Sequence, residues 1–156
     1  YGLTPDVMTL AKFLGGGVPI GAMVAKNELS PVLGPGTHAS TFGGSPLACA
    51  ASLAVFEAVK KQKLLKNVIE TGAYLKKKLC ALAEDYPLIK EVRGLGLMIG
   101  VELDRDGSDI VRQCMDKGLL INCTNVKVLR WMPALNVTKA QIDCAIATFE
   151  SVLKGI

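Results

Sequence analysis

Lys12 has the clearest potential for covalent chemistry in this sequence. It follows the apolar run 7–11, and three glycines stand at 15–17 shortly after it. A lysine held among apolar side chains loses solvation, which favours the neutral, nucleophilic amine. Such an amine can form a Schiff base with an aldehyde, and the glycines would let a flat group approach the backbone. The alternative is a surface lysine whose aliphatic stem lies along the protein.

A loop ahead of a predicted helix carries a second candidate site. The hydroxyls of Ser40 and Thr41 lie there, and glycines 43–44 follow. A helix is predicted to begin just after them, with Ser45 as its N-cap and Pro46 at its first position. Backbone N–H groups at such a start favour an anion, particularly phosphate, although the same residues are also typical of plain turns and caps. A reactive lysine together with a phosphate site suits pyridoxal 5′-phosphate, which carries both an aldehyde and a phosphate.

Two further polar residues stand in segments where they could act. Arg130 lies in the apolar stretch 129–132, where an arginine is either an exposed edge residue or the partner of a carboxylate. His38 is expected to make an ordinary hydrogen bond. The glycines at 15–17 could suggest a nucleotide-binding loop, but neither GxGxxG nor GxxxxGK[ST] occurs, so a nucleotide-binding module is the weaker alternative.

The composition excludes several classes of function. The chain has 156 residues, a net charge of +4 and 5% aromatic residues, which argues against a nucleic-acid partner. No apolar run reaches the length of a membrane span, so no membrane partner is expected. Five cysteines without paired spacing and a single histidine indicate a reduced, cytoplasmic protein with no metal site. Because the sequence does not begin with Met, we expect it to start inside a longer protein.

Hydrophobic periodicity and turn residues predict a chain of mixed helices and strands. The run 7–11 is expected to be a buried strand, and the helix that begins at 45 is expected to be buried on most faces because nearly all its first half is apolar. The predicted strands are 7–11, 20–25, two strands within 92–103, 119–123 and 126–131, and the predicted helices are 45–56, 64–85, 108–117 and one from 138 to about 153. The first two strands are predicted to pair as a hairpin with an irregular loop, and residues 30–44 are predicted to be loop. Thr138 and Gln141 have the spacing of a capping box at the start of the last helix.

Residues 9–22 resemble the lysine segment of the class III aminotransferases, and residues 36–50 resemble their phosphate-binding segment. The stretches 92–103 and 129–135 resemble parts of the family's small C-terminal domain. The resemblance implies an α/β protein with the type I fold of PLP-dependent transferases. It further implies that residues 1–60 are the end of the PLP-binding large domain with the start of a connecting helix, and that residues 61–156 are the small C-terminal α+β domain.

The resemblance also implies roles for individual residues. Lys12 would be the Schiff-base lysine and the proton carrier, and Thr41, with Ser40 beside it, would bind the cofactor phosphate. In a homodimer with active sites at its interface, that phosphate usually belongs to the partner subunit. Arg130 would pair with an upstream glutamate or with a substrate carboxylate. The implied reaction moves an amine from a donor such as N-acetylornithine to 2-oxoglutarate, with ornithine, succinylornithine and 4-aminobutyrate as alternative donors.

The chain departs from the family pattern at two residues, and several of the family's cofactor-binding residues are not in this sequence. Phe13 stands where relatives usually carry a small residue, and Ser45 where asparagine is more usual. The family's pyridinium-binding aspartate, stacking aromatic residue, upstream phosphate loop and main carboxylate-binding arginine all precede the lysine and are not in this sequence. The chain alone is therefore predicted to be inactive. A non-catalytic binding or assembly module is the alternative from another class of function.

Overall fold

The first part of the chain forms a two-stranded hairpin. A computed structural model describes residues 2–156 and places them in two compact units, residues 2–62 and Lys63–Ile156. In the first unit, strand β1 (Val7–Leu10) pairs antiparallel with strand β2 (Ala22–Ala25). The predicted hairpin with an irregular connection is confirmed. Its connection contains a short 3₁₀ helix at Lys12–Gly15.

The rest of the first unit leads into helix α1 (Pro46–Lys61). The predicted start is confirmed, since proline at the first helical position loses no hydrogen bond. The helix runs five residues beyond the predicted end at 56, to Lys61. The segment 30–44, predicted as loop, begins within a 3₁₀ helix at Asn27–Leu33.

Two expectations about burial in this unit are wrong. Val7, Met8 and Thr9 of β1 are exposed rather than buried. On α1, Leu47 and Leu53 are 73% and 66% exposed. A two-stranded hairpin has two faces, and the single α-helix of this unit cannot cover both faces while burying its own surface on all sides.

The second unit is an antiparallel sheet with three helices. The strand order is β3-β4-β6-β5. Helix α2 matches its predicted bounds, and the predicted capping box is confirmed, since Thr138 and Gln141 exchange hydrogen bonds at the start of α4. Strand β5 begins three residues later than predicted. The elements are α2 (Leu64–Asp85), β3 (Ile89–Leu95), β4 (Met98–Leu103), α3 (Ser108–Asp116), β5 (Asn122–Thr124), β6 (Val128–Trp131) and α4 (Lys139–Leu153).

The core of this unit lies between one face of the sheet and the helices. Alternate strand residues such as Val101 and Leu129 point into it and are fully buried, as is Phe149 of α4. Helix α2 approaches the β3–β4 turn so closely that a Cβ at Gly72 would lie 2.3 Å from the carbonyl oxygen of Gly96. This contact fixes the turn against the helix.

The opposite face of the sheet carries one row of register partners across all four strands, with polar residues on three of them. Arg93 of β3 lies opposite Gly100 of β4, which lies opposite Arg130 of β6. Arg130 in turn lies opposite Asn122 of β5. The strand register therefore places two arginines and an amide on the face away from the core.

Two kinds of feature are not found within residues 2–156. None of the helices there combines the length and apolar character needed to span a membrane. That part of the chain also has no cluster of three or more His, Cys, Asp or Glu side chains placed to hold a metal ion.

Candidate active site

Lys12 lies directly after β1, at the first position of the 3₁₀ helix. Its backbone has a positive φ of 57°. For a residue other than glycine this conformation costs about 1–2 kcal/mol, and such residues are concentrated at functional sites. Of the two interpretations of Lys12, the described residues agree with the exposed lysine rather than with one held among apolar side chains, because its side chain and those of Ala11 and Phe13 are exposed.

The glycines after Lys12 allow close packing around its loop. Gly15 is buried, and a Cβ there would lie 2.9 Å from a methyl carbon of Ile20. Gly16 has a positive φ of 60°, and a Cβ there would lie 3.0 Å from a methyl carbon of Val55 on α1. The loop that follows Lys12 therefore packs closely against Ile20, which precedes β2, and against α1.

Ser40 lies on a cleft at the start of α1, with a volume of about 410 Å³. Thr41 is exposed, and neither Thr41 nor Lys12 is among the residues that line this cleft. His38 lines both this cleft and a neighbouring one of about 560 Å³, a placement that the sequence pattern did not indicate. The lining residues of the first cleft are Pro19, Ile20, Gly21, His38, Ser40, Phe42, Gly43, Gly44 and Ala48.

The first turn of α1 has free backbone donors beside this cleft. The amide of Ser45 donates to the carbonyl of Phe42 at 3.3 Å, and the amide of Cys49 donates to the carbonyl of Ser45 at 2.9 Å. Pro46 has no N–H, so the amides of Leu47 and Ala48 are left without an acceptor inside the helix. Ser45 stands at the predicted N-cap position, but its hydroxyl makes no capping hydrogen bond. This end of the helix therefore favours an anion.

Arg130 is half-buried on β6, in the second unit. Its Nε donates to Oδ1 of Asn122 at 3.1 Å. The two residues line a cleft of about 310 Å³ together with Leu120, Ile121 and Met132. Among the described ion pairs Arg130 has no acidic partner, so its charge is available to an external carboxylate.

The structure thus places the predicted residues in two groups. Lys12, Ser40 and Thr41 belong to the first unit, and Arg130 belongs to the second. Their chemistry fits pyridoxal 5′-phosphate and a carboxylate substrate: an exposed amine on a strained backbone, hydroxyls in the segment before a helix with free N-terminal amides, and a half-buried guanidinium in a cleft. The positions of the hydroxyls and of Arg130 follow from the sequence pattern, whereas the strain at Lys12 does not.

Comparison with known proteins identifies the family. The family model for class III aminotransferases matches residues 1–153. The acetylornithine aminotransferase of Methanocaldococcus jannaschii is 53% identical over 156 residues, which are 100% of this chain and 39% of that protein. The chain therefore spans 39% of the length of this relative.

Solved structures show the same fold. The acetylornithine aminotransferase from Elizabethkingia anophelis has a TM-score of 0.93 and 31% identity, covering 99% of this chain and 42% of that one. The ornithine aminotransferase from Toxoplasma gondii, described with partial occupancy of PLP at its active site, has a TM-score of 0.93 and 35% identity, covering 99% and 38%. The predicted fold class, an α/β protein with part of the type I fold of PLP-dependent transferases, is confirmed.

Proposed function

The chain belongs to the class III aminotransferase family, and we propose that it is the C-terminal part of a PLP-dependent aminotransferase. The observation that carries the proposal is Lys12. It is an exposed lysine with a positive φ of 57°, placed between a strand and three glycines within the segment that the family model matches. Residues other than glycine with such a strained backbone are concentrated at functional sites, which supports a functional role for Lys12.

The residues of the first unit would hold and use the cofactor. Bound pyridoxal 5′-phosphate supplies an electron sink for charge at the substrate carbon. The amine of Lys12 would hold its aldehyde carbon, and Nζ would take and return the proton at the amino-bearing carbon of the substrate. Ser40 and Thr41 would donate hydroxyl hydrogen bonds to cofactor phosphates: Ser40 beside the free amides of Leu47 and Ala48, and Thr41 to the phosphate held in the partner subunit.

A homodimer is part of the proposal. Thr41 is exposed and does not line the cleft that holds Ser40. Thr41 would therefore contact the phosphate held in the partner subunit. The exposed Phe42 and Leu47 beside it, 86% and 73% exposed, provide apolar surface for such an interface.

The substrate proposal rests on Arg130 and on the names of the relatives. Arg130 would bind a carboxylate of 2-oxoglutarate and of the amino donor. N-acetylornithine is the proposed donor, in arginine biosynthesis, because relatives named acetylornithine aminotransferase are 53% and 50% identical to this chain. Ornithine is the alternative that the solved ornithine aminotransferases favour.

The remaining parts of the proposal concern the chain as a piece of the enzyme. Residues 1–60 would belong to the large domain and residues 61–156 to the small domain. The chain alone would be inactive, because the residues that bind the cofactor's pyridinium nitrogen in the family are not in it. A cytoplasmic location is proposed on the support of five free cysteines.

The test compares amine transfer by the full-length enzyme and by the chain alone. The full-length enzyme can be obtained from its source, or by joining the N-terminal part of the M. jannaschii relative to this chain. We expect transfer from N-acetylornithine to 2-oxoglutarate, faster than from ornithine, succinylornithine or 4-aminobutyrate. The chain alone and a Lys12→Ala enzyme should both be inactive. A folded, PLP-loaded enzyme in which Lys12→Ala keeps its activity would refute the proposal.

A further inference from the structure

We propose that Asn122 is a positioning residue that sets the orientation of the Arg130 guanidinium toward a substrate carboxylate. The inference rests on the proposed function, because it requires Arg130 to bind that carboxylate. It goes further by naming the group that holds Arg130 and by explaining why that group is uncharged.

The contact between the two side chains is direct. Asn122 and Arg130 are register partners on adjacent strands, and Arg130 Nε donates to Asn122 Oδ1 at 3.1 Å. A bond at Nε fixes the plane of the guanidinium. It leaves both terminal nitrogens free among the residues described, and a carboxylate can accept from an arginine through a pair of N–H groups.

The register that brings them together is held by the β5–β6 turn. Asn125 and Val126 at its tip have positive φ values of 49° and 64°, and this conformation is unusual for a β-branched residue. The carbonyl of Val126 accepts from the amide of Gly107 at 2.9 Å and from Cys123 Sγ at 3.0 Å. A slip of one residue would turn Asn122 to the other face of the sheet. The strained turn therefore maintains the Asn122–Arg130 pair.

Arg93 shows what a charged partner does on the same face. It lies in the same row as Arg130, with Gly100 between them. Arg93 is bound to the carboxylates of Glu91, at 2.7 Å, and of Glu102. Its charge is already neutralised within the protein. Asn122 is neutral, so it orients Arg130 without competing for the charge that a substrate carboxylate needs.

The surroundings strengthen the effect of orientation. The cleft around Arg130 is lined by Leu120, Ile121 and Met132 as well as by Asn122, and Arg130 itself is half-buried. A charge-assisted hydrogen bond from a half-buried guanidinium is stronger than one in bulk water, and its strength depends on alignment. A guanidinium that rotates freely would lose part of this gain.

The experiment measures the kinetics of the PLP-loaded full-length enzyme with Asn122→Leu, which keeps a similar volume but removes the acceptor. We expect KM for 2-oxoglutarate to rise about tenfold, with kcat within about twofold and the cofactor absorbance unchanged. Asn122→Asp is a second variant for the case in which the leucine variant fails to fold. It keeps the acceptor but adds a competing charge, so KM should also rise. Thr124→Val is the matched control, because it changes a neighbouring residue of the same strand that does not contact Arg130, and KM should not change.

A double-variant comparison separates positioning from a merely structural role. Arg130→Lys should raise KM by itself, and Asn122→Leu should then add nothing in the Arg130→Lys background. If Arg130→Lys raises KM but the Asn122 variants do not, the positioning role is wrong and the proposed function stands. If Arg130→Lys also leaves KM unchanged, the proposed role of Arg130 is wrong, and the inference fails with it. A full effect of Asn122→Leu in the Arg130→Lys background would likewise overturn it.

Discussion

Replacing Lys12 by glycine and by alanine tests whether the backbone at this position is strained. Both substitutions remove the amine, so both should abolish transfer. They differ in the backbone, because φ at this position is 57°. Alanine retains the conformational cost of the positive φ, about 1–2 kcal/mol. Glycine has no such cost, but its greater freedom in the unfolded state lowers the free energy of unfolding by about 0.5–1 kcal/mol. The glycine variant should therefore be more stable than the alanine variant by about 1 kcal/mol.

Hydrogen exchange of the β1–β2 amides measures this difference, because it reports the free energy of local opening. A difference of about 1 kcal/mol corresponds to exchange about fivefold slower in Lys12→Gly than in Lys12→Ala. Lys26 provides the control pair, since its φ is −62° and glycine has no advantage there. At Lys26 the order should reverse. Equal exchange in the two Lys12 variants, or slower exchange in Lys12→Ala, would refute the interpretation of Lys12 as a strained residue.

Three further predictions concern the second unit. Gly72→Ala should destabilise it by about 2 kcal/mol in urea unfolding, because the clash with a backbone carbonyl outweighs the better helix propensity of alanine. Burial raises the pKa of the Cys114 thiol to about 11. Cys114 should therefore resist thiol reagents at pH 8 while exposed cysteines react, and stability should fall above pH 9, where the unfolded chain loses this proton first. The Tyr74 hydroxyl and then the Lys78 ammonium lower the pKa of Asp143. The ionised Asp143 therefore stabilises the folded protein above the ordinary aspartate pKa, and this stabilisation is lost as the pH falls from there through the lowered pKa. Asp143→Asn should weaken the acid dependence of thermal unfolding.

Local sequence signals predicted most of the elements. Pro46 marked the start of α1, Thr138 and Gln141 marked the start of α4, and the bounds of α2 followed from its hydrophobic period. These signals depend on residues that are close in the chain, so they can be recognised without knowledge of the tertiary contacts. Ser45 shows the limit of such signals, because its position is right but its hydroxyl makes no cap.

Burial and backbone strain could not be predicted in the same way. The apolar residues of β1 and α1 indicated surfaces that need covering, but a sequence pattern does not say which part of a protein covers them. Leu47 and Leu53 were therefore predicted to be buried, although they are exposed within the described residues. The positive φ values of Lys12 and Val126 also have no local signal, since neither residue type favours that conformation. The pairing of Asn122 with Arg130 depends on a strand register that the prediction of β5 over 119–123 did not give.

Reduction of the full-length enzyme with borohydride in the presence of pyridoxal 5′-phosphate, followed by peptide mapping, tests the central claim most directly. The reduction makes the link between the cofactor and its lysine permanent, so the labelled residue is identified by mass. We predict one phosphopyridoxyl group per chain, on the peptide that contains Lys12, and no specific label in Lys12→Ala. A label on another lysine with Lys12 unmodified, or equal labelling in Lys12→Ala, would contradict the assignment of this chain's catalytic residue.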